Sequence, residues 1–350
     1  IGVAAAVRAS NVSVIDPATP PRFPSEPRKG RALLIALLAG TLLGAGVVFA
    51  RSSFDSSVKS CKDVDRYLRL PSLGVVPDFA LLPVGVSAYA AAPKKPPRGR
   101  KQSRLALVER RSAEKDGSLI VSRDPNCVVT ESYRTLRTAI LFSQPEAPPK
   151  TMLFTSALES EGKTTSALNT ALVFAKMGAR VLVIDADLRR ASCHERLGTG
   201  NLVGLSEALT GQRDFAEVIR RTSVENVDLL SSGSLPPNPT ELLGSRAMAE
   251  LLAKAAGRYD FVFVDSPPVM PVNDAVVLSP LVDGVVLVVR AHGTPRQIIQ
   301  RAEARLAQTR ASLLGVVLNK LDARSDNYAT YYGGRYYSSY YHQGAEEGAA

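Results

Sequence analysis

Six short, almost wholly apolar runs punctuate the second half of the chain, and they limit its fold more than any other feature. They read TMLFTSA, RVLVIDA, VDLLSS, DFVFVDS, GVVLVVR and LGVVLNK. Each has strand length, and most are rich in β-branched residues, without the polar alternation of a strand that keeps one face wet. Stretches around Thr165 to Lys176, Glu241 to Ala256 and Pro295 to Gln308 carry helical patterning. Buried strands alternating with helices predict an α/β fold with a doubly wound parallel sheet covered on both faces. Its active site belongs at the carboxyl ends of the strands.

The first of these strand ends continues as TSALESEGKTTSALNTA. Glu161, Gly162, Lys163, Thr164 and Thr165 open a helix directly after a strand, the context of a phosphate-binding P-loop. Backbone N–H groups and the helix N-terminus there cradle phosphates. Lys163 suits the β- and γ-phosphates of a nucleotide, and the Thr164 hydroxyl suits magnesium. ATP and Mg2+ are the expected ligands. A strict P-loop has glycine where this chain has Ala157. Two further strand ends carry acids: VLVIDADLRR places Asp185 and Asp187 beside Arg189, and FVFVDSPP places Asp265. A carboxylate just past a buried strand holds magnesium or accepts a proton, although a helix-capping aspartate is common at such turns. Three acids coupled to one Gly-Lys-Thr loop favour a magnesium–nucleotide site over three coincident caps.

Ahead of the sheet, Ala32 to Ala50 runs 19 residues without a charge, close to the hydrocarbon thickness at ~1.5 Å per residue. It predicts a transmembrane helix, with Gly40 and Gly44 at the spacing that lets two such helices pack. Basic residues nearly balance on its two sides, so charge alone does not orient it. The net charge of +10 would suit nucleic acid or an anionic membrane. Much of the excess sits between Lys94 and Arg111 in a Pro-containing linker, so lipid headgroups are the expected partner and nucleic acid is not. Cys61, Cys127 and Cys193 are far apart and lack metal-ligand spacing. The opening Pro-rich stretch reads as the interior of a longer protein. The expected organisation is 1–31 extracytoplasmic, 32–50 transmembrane, 51–124 connector and basic linker, 125–324 catalytic domain and 325–350 tail.

That tail holds seven of the chain's 11 tyrosines, Tyr328, Tyr331, Tyr332, Tyr336, Tyr337, Tyr340 and Tyr341. Its Gly/Ser-rich composition supplies too few aliphatic side chains for a core. It is either a sticky aromatic segment or, beside a phosphoryl-transfer site, a substrate.

The loop SALESEGKTT, VLVIDADLRR and FVFVDSPP resemble the Walker A, A′ and B motifs of bacterial tyrosine kinases, a family similar in fold to the MinD and ParA ATPases. Those ATPases carry a signature lysine where this chain has Leu158. The kinase loop usually reads Pro-Gly where this chain has Glu159-Ser160. The resemblance implies autophosphorylation of the tail, with Lys163, Asp185 and Asp187 catalytic, Asp185 the candidate base, and Thr164, Asp187 and Asp265 around magnesium. It also implies a base contact at Asn319, where a structural turn residue is the alternative. ESYRTLR is similar to the family's self-association helix, which implies a ring-like homo-oligomer through Glu131, Arg134 and Arg137; spacing alone favours a solvated helix face. PPNPTELLGS also looks familial. VIDPATPP and LPSLGVVP around the apolar span are similar to Wzz-like polysaccharide chain-length proteins. This implies a bacterial inner-membrane protein with a cytoplasmic kinase domain, serving polysaccharide polymerisation and export and opposed by a phosphotyrosine phosphatase. A scaffold using nucleotide as a switch, or a membrane-tethered MinD-like ATPase, are the competing functions.

Overall fold

The computed structural model describes residues 29–54, 56–68, 70–78, 119–125 and 127–322. The chain divides into two units, one ending at Asp55 and one beginning at Ser56.

The first unit is a single described helix, α1 (Lys29–Phe54). Leu33, Leu37, Leu38 and Leu42 are all exposed on it. Among the described residues no helix is long and apolar enough to cross a membrane. The expected span at 32–50 falls within this 26-residue helix.

The second unit is built on one eight-stranded sheet. Its strands are β1 (Ser72–Pro77), β2 (Thr151–Ser156), β3 (Val181–Asp185), β4 (Ile219–Arg221), β5 (Val227–Leu230), β6 (Phe261–Asp265), β7 (Gly284–Arg290) and β8 (Leu313–Leu321). The order is β1-β8-β7-β2-β6-β3-β5-β4. Every pairing is parallel except β4 with β5. All six apolar runs of the sequence are strands. Alternate residues explain why they read as unbroken apolar: Leu153, Leu182, Val264 and Leu287 enter one core, while Met152, Phe154, Val183 and Val288 enter the other. The second core also holds Phe174 edge-on to Phe263, with ring centroids 5.3 Å apart.

The longer helices of this unit are α2 (Cys61–Leu68), α3 (Val128–Leu141), α4 (Lys163–Ala175), α5 (Arg246–Arg258) and α6 (Arg296–Ala307). The helical pattern at 241–256 is split, because Ser245 caps α5 by accepting from the Met248 N–H. On opposite faces, α3 and α4 cover the second core while α2, α5 and α6 cover the first.

The expected connector at 51–124 needs correction. Its residues from Ser56 to Asp78 join the α/β unit: β1 pairs with β8 over Ser72 to Pro77, and α2 buries Val64 and Leu68. Ser57 bridges to Pro295. The reason is apolar cover, since Leu73, Val75 and Val76 are buried and leaving them in water costs about 1.5–3 kcal/mol each. Close approach of the two strands also explains Gly315, whose φ is +151° and where a Cβ would strike the Pro71 carbonyl.

Candidate functional site

The loop after β2 meets α4 at Gly162, which has φ +99°. A side chain there would collide with the Asn319 amide. That amide donates to the Glu161 carbonyl at 2.8 Å, tying the end of β8 to the loop. Glu161 itself turns inward. Its carboxylate accepts from the Leu158 N–H at 2.7 Å, from the Arg290 N–H at 3.3 Å, and from the Thr294 hydroxyl. Burial pushes this carboxyl up and the backbone donors draw it partly back. Glu161 and Asn319, expected among the nucleotide contacts, brace the loop through these bonds and do not line the cleft. Ser160 has φ +62°, a left-handed backbone that costs a non-glycine residue about 1–2 kcal/mol.

Beside the loop lies a cleft of about 340 Å³. Gly162, Lys163, Thr164 and Thr165 form one wall, Asp187, Arg189, Arg190 and Arg196 a second, and Pro267 and Pro268 a third. Lys163 Nζ lies 2.8 Å from Asp187 and 3.8 Å from Asp265. Burial pulls its ammonium down, but the carboxylates of Asp265 and Asp187 outweigh this and raise it above the ordinary lysine value. Thr164 donates to Asp265 at 2.6 Å.

Asp185 is placed differently from expectation. Fully buried, it accepts from the backbone N–H groups of Ser192 (3.0 Å), Cys193 (2.9 Å) and Asp187 (3.3 Å). Burial and then the charge of Asp265 push its carboxyl up to about 7. It does not line the cleft, whereas Asp187 does. Asp185 is the last residue of β3 and Asp187 lies in the turn beyond it, where the alternation of the strand no longer sets the direction of a side chain.

Asp265 is held above the usual carboxylate range by burial, partly offset by Lys163 and the Thr164 hydroxyl. Its Oδ1 is buried without a hydrogen-bond partner, a state that normally costs about 1–3 kcal/mol or more. A divalent cation is the group that answers an orphaned carboxylate oxygen beside a threonine hydroxyl. The donor set of Thr164, Asp187 and Asp265 therefore fits magnesium.

The fold also supplies residues that motif reading did not single out. Arg196 donates to the Thr165 hydroxyl at 2.7 Å, and Arg190 pairs with Glu159 at 2.6 Å across the cleft mouth. Cys193 lies buried against Asp265, Sγ to Oδ2 3.7 Å. All three lie in irregular or short elements after β3 or at the loop, where no periodicity marks them. Arg189 pairs with buried Asp274 at 2.7 Å, and Thr240 of PPNPTELLGS bonds to both.

Glu131, Arg134 and Arg137 stand on α3, away from the cleft lining. Glu131 and Arg134 pair with each other at 2.8 Å, and Arg137 donates to the Val173 carbonyl in the last turn of α4 at 3.1 Å. The seven tail tyrosines lie outside the described residues.

A parallel sheet whose Gly-Lys-Thr loop opens a helix against two strand-end acids defines a P-loop nucleotide-binding domain. Residues 160–294 match the profile described as "AAA domain", and residues 1–53 that described as "G-rich domain on putative tyrosine kinase". The tyrosine-protein kinase YwqD of Bacillus subtilis is 37% identical over 229 residues, 65% of this chain and 97% of that protein. The tyrosine-protein kinase wzc of Salmonella typhi is 30% identical over 92% of this chain, which spans 42% of that longer relative. The kinase domain of the Escherichia coli tyrosine kinase ETK superposes with a TM-score of 0.64 at 27% identity, covering 77% of this chain and 97% of that domain. The chain belongs to the bacterial tyrosine kinases.

Proposed function

We propose that the chain transfers the γ-phosphoryl group of ATP to tyrosines of its own tail, and through this controls polymerisation and export of a surface polysaccharide. The observation that carries the reading is that the Lys163–Asp187–Asp265 site and the tyrosine cluster share one chain. The strand that precedes the tail also braces the P-loop through Asn319.

Lys163 neutralises the transferring phosphoryl group, and the first-turn N–H groups of α4 hold the phosphates. Thr164, Asp187 and Asp265 would hold magnesium, which would supply charge neutralisation. The tyrosine oxygen attacks the γ-phosphorus as the bond to the β-phosphate oxygen breaks, and the phenolic proton passes to a strand-end carboxylate, with Asp185 the candidate base. ADP carries away the leaving oxygen. Asp185 fixes the turn that presents Asp187.

In the intact protein, residues 32–50 cross the bacterial inner membrane, the α/β unit and tail face the cytoplasm, and the basic linker lies against lipid. Subunits assemble in a ring through Glu131, Arg134 and Arg137. Each phosphate adds about −1.5 to −2 charges to the tail, enough to repel docked tails and loosen the ring until a phosphatase resets it. Asn319 uses one amide N–H on the Glu161 carbonyl, which leaves its second N–H and its Oδ1 for a nucleotide base.

The decisive experiment incubates the whole chain with magnesium-ATP beside Lys163→Met and a variant with all seven tail tyrosines changed to Phe. Phosphotyrosine is expected on the parent alone. Nucleotide binding without phosphotyrosine would favour the scaffold reading.

A further inference from the structure

We infer that Asp185, Cys193 and Asp265 form a binding site for a thiophilic divalent cation of the zinc type, distinct in its donor set from the oxygen-only site that serves magnesium. The inference does not rest on the kinase reading, because it concerns binding by the nucleotide-free chain.

The three side chains come from two strand ends and the short helix Cys193–Leu197. One ligand atom from each lies within 4.8 Å of the others. All three residues are buried, at 0%, 0% and 1% exposure. Zinc bound tetrahedrally, with bonds of about 2.3 Å to sulfur and 2.0–2.2 Å to oxygen, separates its ligand atoms by roughly 3.6 Å. Cys193 Sγ and Asp265 Oδ2 stand 3.7 Å apart. Beside the cysteine, Asp265 carries a buried Oδ1 without a partner, an oxygen that a cation at either site would satisfy. Asp185 is already oriented by backbone N–H groups at 2.9 to 3.3 Å, the outer support that ligating carboxylates need. Thiolate selects zinc or cadmium over magnesium, whereas a set of carboxylates and hydroxyls does not. As the metal–sulfur bond forms, the thiol proton leaves to solvent; no electron transfer is involved. Lys163, 3.8 Å from Asp265, competes as the internal counter-charge and must withdraw toward the cleft. Shared use of Asp265 makes the two cations mutually exclusive.

The test uses cadmium as a spectroscopic stand-in. The chain has only three cysteines, so Cys61→Ser combined with Cys127→Ser leaves Cys193 as the sole thiol. Serine at position 127 retains a side-chain acceptor for the Thr130 N–H that Cys127 now caps. Cadmium should give a sulfur-to-metal absorption band that saturates at one metal per chain and disappears in urea. Asp265→Asn should weaken it at least tenfold. Absence of the band, or a band as strong in urea as in the folded chain, overturns the inference, and neither outcome requires Cys193→Ser to fold. In a parallel arm, zinc should slow tail phosphorylation more in the parent than in Cys193→Ser, each scored against its own zinc-free rate. A chain without kinase activity would sink the functional proposal and leave the cadmium result to decide the metal site.

Discussion

The Asn319 amide occupies the space that a side chain on residue 162 would need, while donating to the Glu161 carbonyl at 2.8 Å. The end of β8 thus braces the P-loop that follows β2, although the two strands are distant in sequence. Gly162→Ala should abolish detectable nucleotide binding in a fluorescent-nucleotide titration, since the new methyl meets Asn319 and the backbone is left-handed. Adding Asn319→Gly removes the clash but not the strain, so it should restore binding only in part.

Ser160→Gly should raise stability. Relief of about 1–2 kcal/mol of left-handed strain exceeds the roughly 0.5–1 kcal/mol of added chain entropy. A net gain of about 0.5–1 kcal/mol is expected in urea unfolding, and nucleotide affinity should not fall.

Thr294→Ala strips one donor from buried Glu161 and should cost about 1–3 kcal/mol, accompanied by weaker nucleotide binding because Glu161 holds the Leu158 N–H. Thr294→Ser should recover both. Equal affinity in parent and Thr294→Ala would show that the loop keeps its shape without this bond.

In the metal-free chain, stability should rise as pH falls from about 8 to about 5. Asp185 titrates near 7 when folded but near ~3.9 when unfolded, so the folded state binds the proton more tightly across that window. Asp185→Asn carries no such proton. Its urea midpoint should change less between those pH values than the parent's.

A chain beginning at residue 119 lacks β1 and α2, and should be less stable and more prone to aggregate than one beginning at residue 56. It would expose the β8 edge together with the apolar side chains that β1 covers. Light scattering and urea unfolding of the two chains check this.

The sheet's centre was legible because its strands are buried on both faces and read as apolar runs, and Lys163, Thr164, Asp187 and Asp265 were legible because the motif is local. The edges were not. β1 is short and bracketed by Pro71 and Pro77, so it reads as a linker. β4 consists of Ile219, Arg220 and Arg221, charged as an exposed antiparallel edge should be. Cys193 and Arg196 reach the site through the turn that Asp185 organises, a long-range arrangement that spacing does not encode. The hydrogen bonds by which Glu161 and Asn319 brace the loop were not legible, since spacing does not encode partners that arrive from β7 and β8.

Pairing of β1 with β8 brings Asp78 to Leu321, N–H to carbonyl 2.9 Å. Both polypeptide segments that leave the sheet there therefore start from one corner, at the end where the P-loop lies. Tyr328 is six residues past Asp322 and Tyr341 nineteen, giving contour lengths of at most about 20 and 65 Å. On the proposed function, a tether of that contour length would set a local phenol concentration on the order of millimolar, and the order in which the tyrosines are consumed is expected to follow reach rather than recognition.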